Sequence, residues 1–130
     1  MAAFTRVILF LNVLLFLGFG LAFTAWPARM AQTPGIPLPS PSALSDVRAI
    51  YGGMELGFAA YLAVCVYRRE TVKGLLAATL VLGGTAVGRG IGLAVDGFSP
   101  ITLRLLFAEG FGAVANGVVL WLAHAKAPRS

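Results

Sequence analysis

Residues 7–26 read VILFLNVLLFLGFGLAFTAW, and Asn12 is the one strongly polar side chain among them. A hydrocarbon core about 30 Å thick is crossed by about 20 helical residues, and this run is long enough. Three further apolar runs follow, at Ala43–Tyr67, Val72–Val95 and Ile101–Ala125. Because backbone exposed to lipid must satisfy its own hydrogen bonds, each run is predicted to be an α-helix.

The composition agrees with this prediction. Hydrophobic residues make up 58% of the chain and charged residues 12%, whereas soluble domains are about 25% charged. A length of 130 residues suits one domain. The sequence therefore predicts an all-α integral membrane four-helix bundle, a single transmembrane domain over residues 1–130. Its helices are predicted at about residues 5–26, 44–67, 72–95 and 101–124.

The segments between the apolar runs carry helix breakers. Residues 27–42 hold five of the seven prolines and are predicted to form a polar, extended loop. Ser45 and Asp46 are predicted to be the N-cap and the first-turn acid of the second helix. The first run is too long for the apolar region of a signal peptide, and no Ala-x-Ala site follows it, so we expect it to be retained.

The charge distribution predicts the orientation. With four helices, the two termini and the second loop share one side of the membrane. That side carries Arg6, Arg68, Arg69, Lys73, Lys126 and Arg129 against Glu70, which is the whole net charge of +5. The other charges cancel: Arg29, Arg48, Arg89 and Arg104 against Asp46, Glu55, Asp96 and Glu109. The positive-inside rule makes the basic side cytoplasmic, so the protein is predicted to be N-in/C-in in the inner (plasma) membrane.

Several function classes lack residues that they need. Cys65 is the only cysteine, which excludes an internal disulfide and a Cys–Cys redox pair. His124 is the only histidine, so paired-His haem ligation, His-rich metal sites and Ser-His-Asp catalysis are not indicated. We predict no metal and no cofactor, and no recognised catalytic set is present. The basic charge follows the topology, so nucleic acid is not an expected partner, although anionic lipid is compatible with it.

Three ionisable residues interrupt the apolar helices at similar depth. Counted at about 1.5 Å per residue from the predicted outer helix ends, Glu55 lies about 13 Å deep, Arg89 about 10 Å and Glu109 about 12 Å. A charge in the bilayer costs about 2.5–3.5 kcal/mol, so such residues usually face protein or water. We therefore predict that Arg89 is paired to Glu55, Glu109 or both.

Helical spacing extends this cluster and suggests which faces pack. The predicted ligand-binding or structural polar cluster comprises Arg48, Tyr51, Glu55, Arg89, Asp96 and Glu109, on stripes of i, i+3, i+4, i+7 spacing. Small-xxx-small motifs predict helix packing at Gly53, Gly57, Gly84, Gly88 and Gly92. Amides in lipid need partners, so Asn12 and Asn116 are predicted to face protein.

These motifs resemble a known family. The segment DVRAIYGG (Asp46–Gly53) with Glu55, then Gly88–Arg89 with Gly92, Asp96–Gly97 and Glu109, is similar to the bacterial family called domain of unknown function 4345. The likeness covers nearly the whole chain, but the long proline-rich first loop is less typical of the family. A looser likeness to DoxX-like four-helix proteins also exists. The resemblance implies a small four-helix membrane protein and implies no reaction.

Two functions remain open from the sequence. In the first, the protein is a non-enzymatic structural or accessory protein whose buried charges fix helix register, and its partners are the lipid bilayer and other membrane proteins or a second copy. In the second, it is a small carrier or binding protein that holds an anionic or amphipathic molecule, such as a lipid, quinone or carboxylate, at the polar cluster. An enzyme using Tyr, Arg and Glu as acids or bases is a weaker alternative.

The orientation can be tested by cysteine labelling. A membrane-impermeant maleimide should label Ser99→Cys on intact cells and should not label Ser130→Cys, because the net positive charge predicts both termini inside. The reverse labelling pattern would show that the orientation is inverted.

Overall fold

The computed structural model describes residues 2–125. Lys126, Arg129 and Ser130, all on the predicted cytoplasmic side, lie outside the described residues. The described chain is helical, without strands. Its elements are α1 (Ala2–Ala25), α2 (Pro27–Gln32), α3 (Pro41–Val47), a π-helical turn (Arg48–Gly53), α4 (Met54–Tyr67), α5 (Thr71–Val95) and α6 (Pro100–Ala125).

Four helical segments are long and apolar enough to cross a membrane. They are Ala3–Ala25, Pro41–Tyr67, Thr71–Val95 and Pro100–Ala123. Within the described residues, this confirms the predicted all-α class with four candidate spans. The described residues divide into two compact units: an N-terminal unit of residues 10–64, and a C-terminal unit of residues 2–9 with 65–125.

The proline-rich segment is partly helical, so the prediction of an extended loop over 27–42 was wrong for Pro27–Gln32. Pro27 occupies the first helical position, where its missing N–H removes no intrahelical hydrogen bond and its fixed φ suits the helix. The apolar residues between the prolines also have a partner surface. Met30, Ile36 and Leu38 pack against a small buried core made by Phe23, Ala31 and Val47.

The second span begins earlier than predicted. Its N-cap is Ser40, whose Oγ accepts a hydrogen bond from the Ala43 N–H at 3.2 Å, and Pro41 takes the first helical position. The Ser-Pro pair therefore starts the helix five residues before Ser45, and the assignment of Ser45 and Asp46 as cap and first-turn acid was wrong. The predicted depth of Glu55 was counted from Asp46, which is not the start of the helix.

A π-helical turn at Arg48–Gly53 interrupts this span. At its end the Met54 N–H donates to the Ala49 carbonyl, five residues back rather than four. The α-helical spacing used to place Arg48, Tyr51 and Glu55 on one stripe does not hold through this turn. Single π-helical turns inside α-helices are rare and often lie at functional sites.

In the N-terminal unit, α1 packs closely on the second span at two glycines. A Cβ built on Gly20 would lie 2.9 Å from Leu56, and one built on Gly52 would contact the Thr24 hydroxyl and lie 3.0 Å from the Thr24 backbone nitrogen. Phe16 and Phe58 add an edge-to-face ring contact at 4.6 Å. Only glycine allows these two backbones to approach so closely.

In the C-terminal unit, α5 and α6 form a packed hairpin. Gly97, with φ of 103°, makes the turn between them. Leu75 and Ala78 of α5 are fully buried. Leu9 of α1 packs where a Cβ on Gly74 would come within 2.7 Å of it.

The two amides that were predicted to face protein are buried. Asn12 is 8% exposed and Asn116 is 3% exposed. Neither is left without a partner. This confirms that both face protein.

The tight contacts do not lie at the glycines of the small-xxx-small motifs. A Cβ built on Gly57, Gly84 or Gly88 would meet no atom within 4 Å. The nearest atoms for Gly53 and Gly92 belong to their own helical neighbourhood, the Arg48 carbonyl at 3.9 Å and the Asp96 carboxylate at 3.5 Å. Close approaches within the chain occur instead at Gly20, Gly52, Gly74 and Gly112.

This difference gives a matched pair of variants. Gly52→Ala should lower the free energy of unfolding by about 1–3 kcal/mol, because its Cβ overlaps Thr24 and the backbones must separate. Gly57→Ala has open space and should be neutral or stabilising by up to about 1 kcal/mol, through helix propensity. Unfolding by SDS titration in detergent micelles measures both, and equal effects of the two substitutions would contradict this packing.

Candidate functional site

An ion pair links the two helices of the C-terminal hairpin. Arg89 of α5 donates from Nε to Glu109 Oε2 at 2.7 Å and from Nη2 to Glu109 Oε1 at 2.8 Å. Both prongs of the guanidinium fork thus meet both oxygens of the carboxylate, the strongest geometry for this pair of groups. The Arg89 side chain is 32% exposed and that of Glu109 is 19% exposed.

The pair lies well inside the hairpin. Arg89 is six residues before the end of α5 at Val95, and Glu109 is nine residues after the start of α6 at Pro100. At 1.5 Å per residue these separations correspond to about 9 Å and 13 Å from the helix ends. A lone charge at that depth in hydrocarbon is costly, and two opposite charges in bidentate contact offset much of each other's desolvation.

A second polar contact lies in the N-terminal unit, where the π-helical turn meets the end of α1. Arg48 Nε donates to the Thr24 backbone carbonyl at 3.2 Å. Thr24 belongs to the last turn of α1, whose carbonyls have no intrahelical N–H partner. An arginine there satisfies an orphan acceptor and interacts favourably with the negative end of the helix dipole. Arg48 therefore caps α1 across the unit.

Two neighbours of Arg48 on the turn also face the last residues of α1. The ring of Tyr51 stacks on Phe23 at a centroid distance of 5.2 Å and an interplanar angle of 26°. The backbone of Gly52 abuts Thr24. The π-helical turn thus brings a hydrogen bond, a ring stack and a backbone contact to one end of α1.

The predicted site residues fall into two groups, in separate units. The N-terminal unit holds Arg48, Tyr51 and Glu55, and the C-terminal unit holds Arg89, Asp96 and Glu109. Glu55 and Arg89 each have a further interaction partner. Asp96 is exposed and forms the C-cap of α5, with its N–H donating to the Gly92 carbonyl at 2.8 Å. A single cluster containing all six residues stays a prediction.

Sequence reasoning missed Thr24. Its carbonyl accepts from Arg48, and its hydroxyl donates to the Gly20 carbonyl at 2.8 Å. A backbone acceptor has no residue signature, so its role follows only from the position of the helix end. The signal that was available was the termination of α1 just before Pro27.

An apolar groove runs along the α5–α6 hairpin, about one helical turn from the ion pair. Its volume is about 590 Å³, and it is lined by Thr79, Leu80, Gly83, Gly84, Val87, Ala113 and Val114. Val87 is two residues before Arg89, and Ala113 is four residues after Glu109. Within residues 2–125 no group of three or more His, Cys, Asp or Glu side chains is placed to hold a metal ion.

Comparison with known proteins supplies the family. No curated protein and no solved structure matches the chain. The family model described as a domain of unknown function, DUF4345, matches residues 4–123. That match takes in all four candidate spans and both polar groups, and it confirms the resemblance drawn from the motifs. The chain therefore belongs to the DUF4345 family of domains of unknown function.

Proposed function

We propose that this protein is a structural or accessory membrane protein without an enzymatic reaction, and that its buried charges hold its own helices in register. The observation that supports this is the bidentate bond from Arg89 to Glu109, at 2.7 and 2.8 Å. A guanidinium whose fork is filled by a carboxylate of the same hairpin has little left to offer an anionic ligand.

Arg48 supports the same proposal from the other unit. In the binding hypothesis, Arg48 and Arg89 supply donors to the ligand. Arg48 instead uses its Nε to cap α1 at the Thr24 carbonyl. Both arginines thus contact elements of their own unit.

We further propose that the protein spans a bacterial inner membrane with both termini in the cytoplasm. Arg6, Arg68 and Arg69 are exposed, and the positive-inside rule places such residues on the cytoplasmic side. In this arrangement Arg89 and Glu109 lie in the outer half of the membrane. Function then lies in contacts with other membrane proteins or with a second copy.

The apolar groove keeps one alternative open, a small binding protein or carrier. A ligand tail in the groove would end about one turn from Arg89 and Glu109. The polar head of an amphipathic molecule would then take the place of Arg89 or of Glu109 in the ion pair. This alternative requires the pair to open, and the structural proposal requires it to stay closed.

The contribution of the pair to stability is measurable. Arg89→Ala leaves Glu109 without its partner in a membrane span and should lower the free energy of unfolding by about 3 kcal/mol. Arg104→Ala is the matched control, an exposed arginine on the same hairpin, and should change it by less than about 0.5 kcal/mol. SDS titration in micelles gives both values, and wild-type stability of Arg89→Ala would show that the pair does not hold the hairpin.

A charge-free variant separates the two functions. Arg89→Ala with Glu55→Gln and Glu109→Gln removes the charge and should recover much of the stability lost in Arg89→Ala. Under the structural proposal, the refolded triple variant should also complement a deletion strain. Stability regained without complementation would refute the structural proposal and favour ligand or partner binding by the charges.

A further inference from the structure

The turn between α4 and α5 contains an arginine in a backbone conformation that normally belongs to glycine. The Glu70 N–H donates to the Cys65 carbonyl at 2.9 Å, and the Arg69 N–H donates to the Val66 carbonyl at 3.2 Å. This pair of bonds is the Schellman ending of a helix. The residue that it places in the left-handed region is Arg69, with φ of 61°.

The end of α2 shows the same motif with the expected residue. There the Ile36 N–H donates to the Ala31 carbonyl at 2.9 Å and the Gly35 N–H donates to the Gln32 carbonyl at 3.1 Å. Gly35 has φ of 71°. Among the described residues other than glycine, Arg69 is the one with positive φ. An L side chain there strains the backbone, so the Arg69 side chain has a role that a glycine would not supply.

The charges of this turn indicate an electrostatic role. Arg68 and Arg69 are both exposed. The carboxylate of Glu70 is engaged by Lys73, whose Nζ lies 3.2 Å from Glu70 Oε2. The acid and the lysine of the turn therefore neutralise each other, and the two neighbouring guanidinium groups carry an uncompensated charge of about +2.

In a membrane-spanning arrangement, this turn would lie at the surface of the bilayer. It joins the spans Pro41–Tyr67 and Thr71–Val95, of 27 and 25 residues. At 1.5 Å per residue these helices are about 40 Å and 37 Å long, several ångströms longer than the hydrocarbon core of about 30 Å. Tyr67, which is 85% exposed, ends the first of them, and tyrosine is typical of the interface. In a bilayer-spanning arrangement, guanidinium groups on this turn would lie within reach of the lipid phosphates.

We propose that Arg68 and Arg69 bind the phosphate of an anionic phospholipid in the leaflet that borders this turn. Guanidinium presents a planar fork that matches a phosphate, and two adjacent residues of a three-residue turn carry such forks. The strained conformation of Arg69 fixes the direction in which its side chain leaves the turn. This site is independent of the Arg89–Glu109 pair and of the function proposed from it.

Binding can be measured on the full-length protein in micelles, by counting phosphatidylglycerol adducts in native mass spectra and comparing them with phosphatidylcholine adducts. The wild type should bind phosphatidylglycerol preferentially. Each of Arg68→Gln and Arg69→Gly should weaken that binding by about fivefold, since one basic residue near anionic lipid is removed. Arg69→Lys should retain more binding than Arg69→Gly, and Arg104→Gln, the exposed arginine on α6, should bind as the wild type does.

Arg69→Gly also allows a loss of lipid binding to be distinguished from misfolding. Glycine relieves the left-handed strain, so this variant should melt at or above the wild-type temperature in detergent micelles containing phosphatidylcholine, while its phosphatidylglycerol binding is weakened. A folded Arg68→Gln, Arg69→Gly double variant that binds phosphatidylglycerol with wild-type affinity would overturn the proposal. The proposal would also be overturned if inorganic phosphate at the same concentration formed as many adducts with the wild type as phosphatidylglycerol does. The site would then bind the free anion rather than the lipid.

Discussion

Backbone that crosses hydrocarbon has no water to hydrogen-bond with, and this constraint determines most of the structure. Four long helices satisfy their interior N–H and C=O groups by internal hydrogen bonds. The N–H groups of the first turn and the C=O groups of the last turn have no such partner. Several of these ends are satisfied by specific contacts. Ser40 caps the second span, Arg48 reaches across to the last turn of α1, and Schellman turns close α2 and α4. These contacts lie where helices stop, whereas the Arg89–Glu109 pair lies within the spans.

The spans were predictable because hydropathy decides them locally. Runs of apolar residues long enough to cross a bilayer need no knowledge of tertiary structure. The helix starts near prolines were less predictable, because proline reads as a breaker in a loop and as a favourable first residue in a helix. Pro27 and Pro41 both take the second role. The π-helical turn has no periodicity of its own in the sequence, and it was missed.

The candidate site was likewise predictable only in part. The contact between Arg89 and Glu109 is of the kind predicted from depth and charge, because both quantities follow from helix ends that hydropathy locates within a few residues. Glu55 was counted from Asp46, whereas the helix starts at Pro41. The Thr24 carbonyl and the close approaches at Gly20 and Gly52 depend on which helix lies opposite, and no local pattern contains that information.

The hairpin explains why a polar contact suits this fold better than an apolar one. The interface of α5 and α6 contains small residues. A Cβ built on Gly83, for example, would lie 3.8 Å from the Cβ of Ala113. Surfaces of this kind allow close packing, but they discriminate weakly between one register and a shift by one turn. A fork that must meet two carboxylate oxygens at 2.7 and 2.8 Å fits in one register alone. A shift by one turn, about 5.4 Å, would separate the charges within the membrane span and expose each of them to hydrocarbon. Directional pairing thus supplies the register that the smooth helix faces lack.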